Sequence, residues 1–563
     1  MLIATVNAVA IERKRVFNGR ALTKGRSKGH CCGAKRALTD ANPPAFMTDQ
    51  LHFSRRHALR LLLAGGLAVV CSDRERPWAE PATRAGHPFS IERLRERARI
   101  LSAHEFRAPD TTLPAVLADM SVEQYRQIRF IPEQALWADQ KKFTAQFFHL
   151  GSYYNHPVRV FAVVDGDASE IQYSPALFEY GDTDLGPKPL PETLGYAGVR
   201  IHTALNGPDY LDELISFLGA SYFRALGRGM RYGMSARGIA VGTATNDNEE
   251  FPVFREFYLE RPADSHSIVV HALLDGPSLT GAYTFTIRPG VDTIVDVNMT
   301  LFTRTTLTTV GLAPLTSMFF FAANDRVGVD DFRPAVHDSD GLMVLTGANE
   351  WLWRPVVNPA RLRISSFVDH NPKGFGLMQR DRDFANYQDL EAHYERRPSV
   401  WVEPVGDWGP GAVMLIEIPT DRESNDNIVA FWRPEEPLLE KREWQFTYRL
   451  HWCADAPAGV EPRPGQVTAT RIGRSETDSG GTHIVLDFLG GTLPTHGDAA
   501  IDAIVSASRG AVLNVLTLYN DVTGGWRVSF DLSVTDEEPA ELRCFLKVGD
   551  SAISETWSYQ WSS

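Results

Sequence analysis

Hydrophobic and polar residues alternate along most of the chain from about residue 145 onward, which is the pattern of half-buried β-strands. The clearest example is Y-T-F-T-I-R-P-G-V-D-T-I-V-D-V-N-M at 283–299, where two alternating runs flank a Pro-Gly turn and predict a β-hairpin. Many such runs follow one another without a regular alternation of strands and helices. The sequence therefore predicts a mainly β protein whose antiparallel sheets pack as a sandwich.

Helical spacing is confined to a few segments. Apolar residues recur every three or four positions after Ser90, and S-V-E-Q beginning at Ser121 has the pattern of a capping box with Gln124. Two further segments, at 207–218 and 383–394, are interpreted as helical insertions.

The chain of 563 residues is too long for one ordinary core, so more than one domain is expected. A charged, proline-containing stretch at 433–440 is interpreted as a linker. It would separate a large sandwich at 88–432 from short alternating strands at 441–563, which are typical of an immunoglobulin-like domain. Residues 1–87 are interpreted as an N-terminal extension, a signal peptide and a spacer.

The stretch S-R-R-H-A-L-R-L-L-L-A-G-G-L-A-V-V at 54–70 has the layout of a bacterial export signal. Arg55 and Arg56 precede an apolar run that is too short to span a bilayer, and the paired arginines resemble the twin-arginine class. Met47 lies just upstream, so Met1 and Met47 are both candidate starts. An exported, periplasmic protein with no transmembrane segment in its mature chain is expected.

Composition and motifs exclude several classes of function. A net charge of −13 without a long basic cluster argues against nucleic-acid binding. The chain contains no H-E-x-x-H and no P-loop, and G-M-S-A-R-G at 233–238 has one residue too many for a nucleophile elbow. The 16 histidines are scattered. We therefore predict no metal site and no cofactor.

Two acidic segments at the edges of apolar runs remain as candidates. A-V-H-D-S-D-G contains Asp338 and Asp340, and E-S-N-D-N-I-V-A-F-W contains Glu423 and Asp426. Glycoside cleavage needs one protonated and one ionised carboxyl on either side of the bond. Taken alone, either segment is better explained as a turn, because Asp and Asn side chains bond to nearby backbone groups.

Longer blocks carry a family resemblance that runs from about residue 88 to the C-terminus. The blocks are F-L-G-A-S-Y-F-R-A (217–225), Y-G-M-S-A-R-G (232–238), N-P-K-G-F-G-L-M-Q-R-D-R-D-F (371–384), R-P-S-V-W-V-E-P (397–404) and I-S-E-T-W-S-Y-Q-W (553–561). They resemble the osmoregulated periplasmic glucan biosynthesis proteins G and D, and the paired arginines favour the D branch. The resemblance implies a galactose mutarotase-like sandwich followed by an immunoglobulin-like domain.

The resemblance also implies an activity and a site. Members look like inverting endo-β-1,2-glucanases that control the glucose backbone of periplasmic glucans, and the matching catalytic residues here are Asp338 and Asp426. Which of them is the acid and which the base is left open. The implied substrate-binding residues, all expected in one cleft with the two aspartates, are Glu423, Tyr394, Arg397 and Trp401.

Two alternatives stay open at this point. One is a non-catalytic scaffold that binds β-glucan and acts with a membrane glucosyltransferase, and the other is a mutarotase or lyase on a similar sandwich. The segment after Arg474 is a short polar loop where D-type members have a longer, aromatic-bearing cover. Its shortening would open the proton path to solvent and weaken catalysis.

Overall fold

The computed structural model describes residues 81–562, except 85, 141, 184, 186–189, 246–248, 265, 458–462, 477–480 and 535–537. The interpreted export signal at 54–70 and both candidate starts lie outside the described residues. Within the described part, no helix is long and apolar enough to cross a membrane.

The α-helices of the described chain are short. They are α1 (Ile91–Ser102), α2 (Ala115–Ala118) and α3 (Val122–Gln127). Ser90 caps α1 by accepting a hydrogen bond from the backbone N–H of Arg93, and Ser121 forms a capping box with Gln124. Both predicted helix starts are confirmed. Short 3₁₀ helices span Pro132–Gln134, Ala138–Gln140, Pro175–Leu177, Phe384–Asn386 and Tyr394–Arg396.

Most of the described chain is β-strand. The strands of the first half are β1 (His87–Pro88), β2 (Arg129–Phe130), β3 (Phe143–Phe148), β4 (Arg159–Val164), β5 (Asp167–Glu170), β6 (Phe178–Glu179), β7 (Gly198–Thr203), β8 (Asp212–Leu218), β9 (Tyr222–Ala225), β10 (Ser235–Arg237), β11 (Ala240–Val241), β12 (Val253–Glu260), β13 (Ile268–Asp275), β14 (Leu279–Arg288), β15 (Thr293–Thr303), β16 (Val310–Ser317) and β17 (Phe319–Phe321). Those of the second half are β18 (Val336–His337), β19 (Gly341–Leu345), β20 (Trp351–Pro355), β21 (Arg363–His370), β22 (Gly374–Met378), β23 (Ser399–Val405), β24 (Pro410–Glu417), β25 (Ile428–Pro434), β26 (Glu443–Cys453), β27 (Gln466–Arg474), β28 (Thr482–Leu489), β29 (Asp502–Ala507), β30 (Ala511–Asn520), β31 (Gly525–Ser533), β32 (Ala540–Val548), β33 (Ser551–Ala552) and β34 (Thr556–Trp561).

Two large, mainly antiparallel sheets dominate the described residues. The ten-stranded sheet has the order β21-β24-β25-β16-β10-β9-β8-β7-β3, with β11 paired to β16. The sixteen-stranded sheet has the order β1-β5-β4-β12-β13-β14-β15-β26-β23-β22-β19-β20-β34-β32-β29, with β33 paired to β32. The predicted hairpin is confirmed as β14 and β15, in which Thr286 pairs with Asp296.

The main hydrophobic core lies between these sheets. Phe217 and Phe223 project into it from the ten-stranded sheet, and Phe285 projects from the sixteen-stranded sheet. The ring of Phe285 lies 5.1 Å from that of Phe217 and 5.2 Å from that of Phe223, both edge-on. Alternating apolar residues of both sheets thus meet face to face, and the predicted β-sandwich class is confirmed.

The domain boundary expected at 433–440 is wrong as placed. Strand β26, which follows this stretch, pairs with β15 on one side and β23 on the other, in the middle of the sixteen-stranded sheet. Strand β25, which precedes it, belongs to the ten-stranded sheet. The charged, proline-containing stretch is therefore a crossover between the two sheets of one sandwich, and the first sandwich extends to Cys453.

The remaining C-terminal strands form a second, smaller sandwich. One layer is the sheet β27-β28-β31-β30, and the other consists of β29, β32 and β34. Its core contains Phe530 and Trp557 together with Trp353 from β20 of the first sandwich. Because β34 pairs in parallel with β20, the two sandwiches share one continuous sheet.

The two segments interpreted as helical insertions are not α-helical. Residues 207–218 end in strand β8, and residues 383–394 form turns around a short 3₁₀ helix. In β8, Leu214 and Ile215 are buried in the main core, so pairing with β7 and β9 overrides the local helical spacing.

A buried ion pair joins the second sandwich to the first. Both oxygens of the Glu555 carboxylate accept hydrogen bonds from the Arg380 guanidinium, at 2.6 and 2.9 Å, and one also accepts from the backbone N–H of Val467 at 2.6 Å. The guanidinium lies over the ring of Trp353, 3.5 Å from its centroid. The Glu555 side chain is 1% exposed and that of Arg380 is 13% exposed.

Replacing Glu555 with alanine should lower the free energy of unfolding by about 3–5 kcal/mol, because it leaves the Arg380 charge buried without its partner. Denaturant-induced unfolding of the two proteins measures the difference. The control is Glu96→Ala, which removes a pair with Arg99 whose side chains are about half exposed and should change little. Equal effects of the two substitutions would contradict the interpretation.

Candidate functional site

Three consecutive residues at the junction of β16 and β17, Ser317, Met318 and Phe319, form hydrogen bonds with both predicted catalytic segments. The backbone N–H of Asp338 donates to the carbonyl of Met318 at 2.8 Å. The backbone N–H of Asn427 donates to the carbonyl of Ser317 at 3.0 Å, and the side-chain oxygen of Asn427 accepts from the N–H of Phe319 at 2.8 Å. The two acidic segments, far apart in sequence, are thus fixed to one short stretch of backbone.

Asp338 is fully buried and is held as an ion pair. It directly follows β18, and its Oδ1 accepts a hydrogen bond from the Arg397 guanidinium. Its Oδ2 has no hydrogen-bond partner among the described residues. The next residue, Ser339, shares a 2.7 Å hydrogen bond with the hydroxyl of Ser317. The guanidinium thus holds this carboxyl in place, and its second oxygen makes no hydrogen bond to the described residues.

Asp426 is in a different electrostatic state. Its side chain is 9% exposed, and Arg224 Nη2 lies 3.8 Å from Oδ2, beyond hydrogen-bond distance. In the described part of the chain, no residue forms a hydrogen bond with this Oδ2. Burial raises the pKa of Asp426 to about 6; the charge of Arg224 opposes this rise, Asp338 adds to it, and Arg397 opposes it. The site therefore combines one carboxyl with a raised pKa and one in an ion pair with Arg397.

Tyr394 and Arg397 lie beside Asp338, as predicted from the resemblance. The Arg397 guanidinium stacks 4.1 Å above the centroid of the Tyr394 ring. Behind them, the amide of Gln379 donates to the carbonyls of His337 and Tyr394, at 3.0 Å each, and its oxygen lies 2.8 Å from His337 Nδ1. This network fixes the turn that carries Arg397 against the segment, directly after β18, that carries Asp338.

Glu423 lies at the more exposed side of the site. Its side chain is 33% exposed, and its Oε2 lies 2.8 Å from a guanidinium nitrogen of Arg333. Arg333 also pairs with Asp331 and Asp389, so several carboxylates orient it. Glu423 and Arg333 can therefore present both hydrogen-bond acceptors and donors to a ligand that approaches the aspartates.

Trp401 does not lie with these residues, and its predicted place is wrong. On β23, Val400 and Val402 face the main core, so alternation directs Trp401 to the opposite side of the sheet. There it joins the core of the second sandwich, 6.0 Å from the ring of Trp351, and is 4% exposed. The alternation of side chains along β23 is therefore present, but the second sandwich covers the face on which Trp401 lies.

Asp340 has a structural role rather than a place beside Asp426. Its carboxylate accepts hydrogen bonds from the backbone N–H groups of Arg380 and Asp381, at 3.1–3.2 Å. Burial raises its pKa, and the neighbouring charges of His337 and Arg380 oppose that rise. The negative charge that adds to the rise in the pKa of Asp426 is that of Asp338.

Sequence reasoning missed two residues of the site, Arg224 and Asn427. Arg224 belongs to the resemblance block at 217–225 and projects from β9, where its Nε donates to the hydroxyl of Ser235 at 2.6 Å. A charged residue inside an otherwise apolar, fully buried strand was the available signal, since such a residue needs a partner. Asn427 was visible only as a turn residue.

The fold is that of a β-sandwich protein, and its candidate site is built on two buried carboxyls. In the described part, no group of three or more His, Cys, Asp or Glu could hold a metal ion. Residues 89–561 match the family described as "Periplasmic glucan biosynthesis protein, MdoG". The chain belongs to this family of periplasmic proteins.

Relatives with the name "Glucans biosynthesis protein G" align along most of their length. The protein of Bradyrhizobium diazoefficiens is 49% identical over 505 residues, which cover 89% of this chain and 99% of the relative. That of Ralstonia nicotianae is 46% identical over 493 residues, covering 85% and 97%. That of Vibrio cholerae is 47% identical over 470 residues, covering 83% and 85%. These names favour the G branch and correct the expectation of the D branch.

The raised pKa of Asp426 predicts a pH-dependent gain of stability in Asp426→Asn. The folded protein holds this proton more tightly than the unfolded chain, so the stabilisation is complete below about pH 4 and is lost as the pH rises through about 6. Asparagine is uncharged at every pH. The variant should match the wild type at about pH 4 and exceed its free energy of unfolding at about pH 8 by roughly 1–3 kcal/mol.

Urea unfolding at both pH values measures this difference. The control is Asp421→Asn, in the same loop but with a side chain that is 86% exposed, which should show no such dependence on pH. A constant offset between Asp426→Asn and the wild type at both pH values would refute the shifted pKa.

Proposed function

We propose that the protein hydrolyses β-1,2-glucan within its backbone, with inversion, and so controls the length of periplasmic glucans. The observation that carries this proposal is the pair of buried carboxyls in unequal surroundings, Asp338 in contact with Arg397 and Asp426 with a raised pKa, each with an oxygen that lacks a hydrogen-bond partner among the described residues. The family description and the names of the relatives, which concern glucan biosynthesis, supply the polymer class. The arginine pair at 55–56 supports export through a twin-arginine signal.

The two carboxyls take different roles in this mechanism. Asp426 in its protonated form donates its proton to the glycosidic oxygen as the bond to the anomeric carbon breaks. Asp338 accepts a proton from the water that attacks this carbon from the opposite face. Arg397 holds the Asp338 carboxyl in position through their ion pair. Exchange with solvent returns both groups to their starting states.

Inversion places a requirement on the geometry of the bound complex. The water must fit between the sugar and the base, so a carboxyl separation of about 6.5–9.5 Å or more is expected. Because Asp338 is fully buried, it reaches the substrate through water rather than by direct contact with the polymer. Tyr394, Arg397 and Glu423 line the approach and suit the hydroxyls of a neutral sugar.

A second function, a glucan-binding scaffold that acts with a membrane glucosyltransferase, is favoured by one observation. Asp338 forms a buried ion pair with Arg397, and such pairs are common in purely structural roles. A lyase is a weaker candidate despite the stacked Tyr394 and Arg397. Burial raises the pKa of Tyr394, which makes its hydroxyl hard to ionise, and a neutral glucan lacks the acidic C–H that a lyase removes.

Asp426→Asn should abolish cleavage of linear β-1,2-glucan while glucan binding and folding persist. Asp338→Asn should also abolish cleavage but lower the free energy of unfolding, because it leaves the buried charge of Arg397 without its partner. Asparagine keeps the size of the side chain but can neither donate the acid proton nor accept one from water. Reducing-end release measures cleavage, and calorimetry measures binding. Asp421→Asn is the matched control in the same loop and should keep wild-type activity. If Asp426→Asn cleaves β-1,2-glucan at the wild-type rate, Asp426 is a turn residue and not a catalytic one.

The pH profile should identify Asp426 as the acid. Cleavage should fall as the pH rises through about 6, because the protonated form of Asp426 is the active one. Arg224→Met removes the nearest cation, so the pKa of Asp426 should rise and the alkaline limb should move upward by about one pH unit. The control is Arg422→Met, whose side chain is 66% exposed. A limb that moves downward in Arg224→Met would exclude this assignment.

A further inference from the structure

Two resemblance blocks, at 217–225 and 232–238, contribute strands β9 and β10 and have no assigned role beyond Arg224. Their side chains alternate between two faces. Phe223 and Ala236 enter the main core, and Tyr222, Arg224 and Ser235 lie on the opposite face. That opposite face is the one from which Arg224 approaches Asp426.

Strand registers extend this face across the sheet. Arg224 on β9 pairs with Ser216 on β8, Ser216 pairs with Arg200 on β7, and Arg200 pairs with Gln146 on β3. Directly paired residues point to the same face of a sheet. A polar row therefore leads away from the aspartates, and Arg200 lies two strands, or roughly 10 Å, from Arg224.

At that distance the row contains a compact polar cluster. Glu213 receives a hydrogen bond from the Arg200 guanidinium at 3.1 Å on one oxygen and from the Tyr232 hydroxyl at 2.7 Å on the other. The side chains of Arg200 and Glu213 are 25% and 21% exposed. Arg200 Nε has no hydrogen-bond partner among the described residues, and its guanidinium lies 5.2 Å above the ring of the half-buried Phe148.

The loop that carries Tyr232 also contacts the turn that carries Arg397. The backbone N–H of Arg231 donates to the carbonyl of Arg396 at 3.0 Å. A Cβ atom placed on Gly233 would lie 2.9 Å from the Cβ of Arg397, so only glycine allows this close approach. The loop that carries Tyr232 is therefore in direct contact with the turn that carries Arg397.

We propose that Arg200, Glu213 and Tyr232 form a further glucosyl-binding subsite, two strands or roughly 10 Å from Arg224. The charges of Arg200 and Glu213 cancel, which suits an uncharged sugar. The partly exposed Arg200 guanidinium can donate to a sugar hydroxyl, the Glu213 carboxylate can accept from one, and the half-buried Phe148 adds apolar surface beside them. This inference rests on the proposed function, since it concerns the same polymer.

The test measures the affinity of linear β-1,2-gluco-oligosaccharides of increasing length, in an Asp426→Asn background that does not cleave them. Glu213→Gln and Tyr232→Phe should each weaken binding of long oligosaccharides, Glu213→Gln by about tenfold. Oligosaccharides too short to reach from Asp426 to Arg200 should bind unchanged. In the cleaving enzyme, the same substitutions should raise KM for long substrates and leave kcat nearly unchanged.

The control is Asp296→Asn, which breaks a comparable, partly exposed ion pair with Arg288 on the sixteen-stranded sheet and should not alter binding. An equal loss of affinity at all lengths, or an equal loss in the control, would overturn the subsite. Unchanged binding in both cluster variants would also overturn it, with the proposed function intact. If the background protein binds no β-1,2-glucan and the wild type cleaves none, the proposed function fails and the subsite fails with it.

Discussion

The site depends on the hydrogen bonds that Ser317, Met318 and Phe319 make to the two acidic segments. These residues lie where β16 ends and β17 begins, so the chain passes here from the ten-stranded sheet, where Ser317 pairs with Ile428, to the short pairing of Phe319 with His337. Asn427 pairs with the Ser317 carbonyl and the Phe319 N–H, and the N–H of Asp338 pairs with the Met318 carbonyl. Buried backbone groups must be paired, so the requirement that closes this end of the sheet also brings the two carboxyls together.

The burial of these charged groups lowers the stability of the fold. In the proposed mechanism, the same groups supply the reactivity. Asp338, Asp426, Arg224 and Arg397 are all largely buried, and the oxygens Asp338 Oδ2 and Asp426 Oδ2 lack hydrogen bonds within the described residues. A fold selected only for stability would pair or remove them. Their charges are divided unequally, with Arg397 in contact with Asp338 and Arg224 at a distance from Asp426. That inequality places two chemically identical groups in different electrostatic surroundings, which is what the proposed acid–base mechanism requires.

The local sequence pattern predicted most strands and the residues that face the core. It did not predict what covers the other face of a sheet or where the chain crosses between sheets. The hairpin of β14 and β15 and the capping box at Ser121 depend on neighbours in sequence, and both were predicted correctly. Asp338, Asp426, Tyr394 and Arg397 came from resemblance, because no local rule distinguishes them from turn residues. Trp401 failed because both faces of β23 are buried, and the boundary at 433–440 failed because a crossover between sheets has the composition of a linker.

The shared sheet makes the second sandwich part of the site's support. Asp340 accepts hydrogen bonds from the backbone of Arg380 and Asp381, which fixes the strand after Asp338 to the end of β22. The side chain of Arg380 then reaches Glu555, immediately before β34. Because β34 also pairs with β20, the segment between Asp338 and the C-terminal strands is held by both side-chain and backbone bonds. Displacement of the second sandwich would therefore shift Asp340 first and, two residues away, the carboxylate of Asp338.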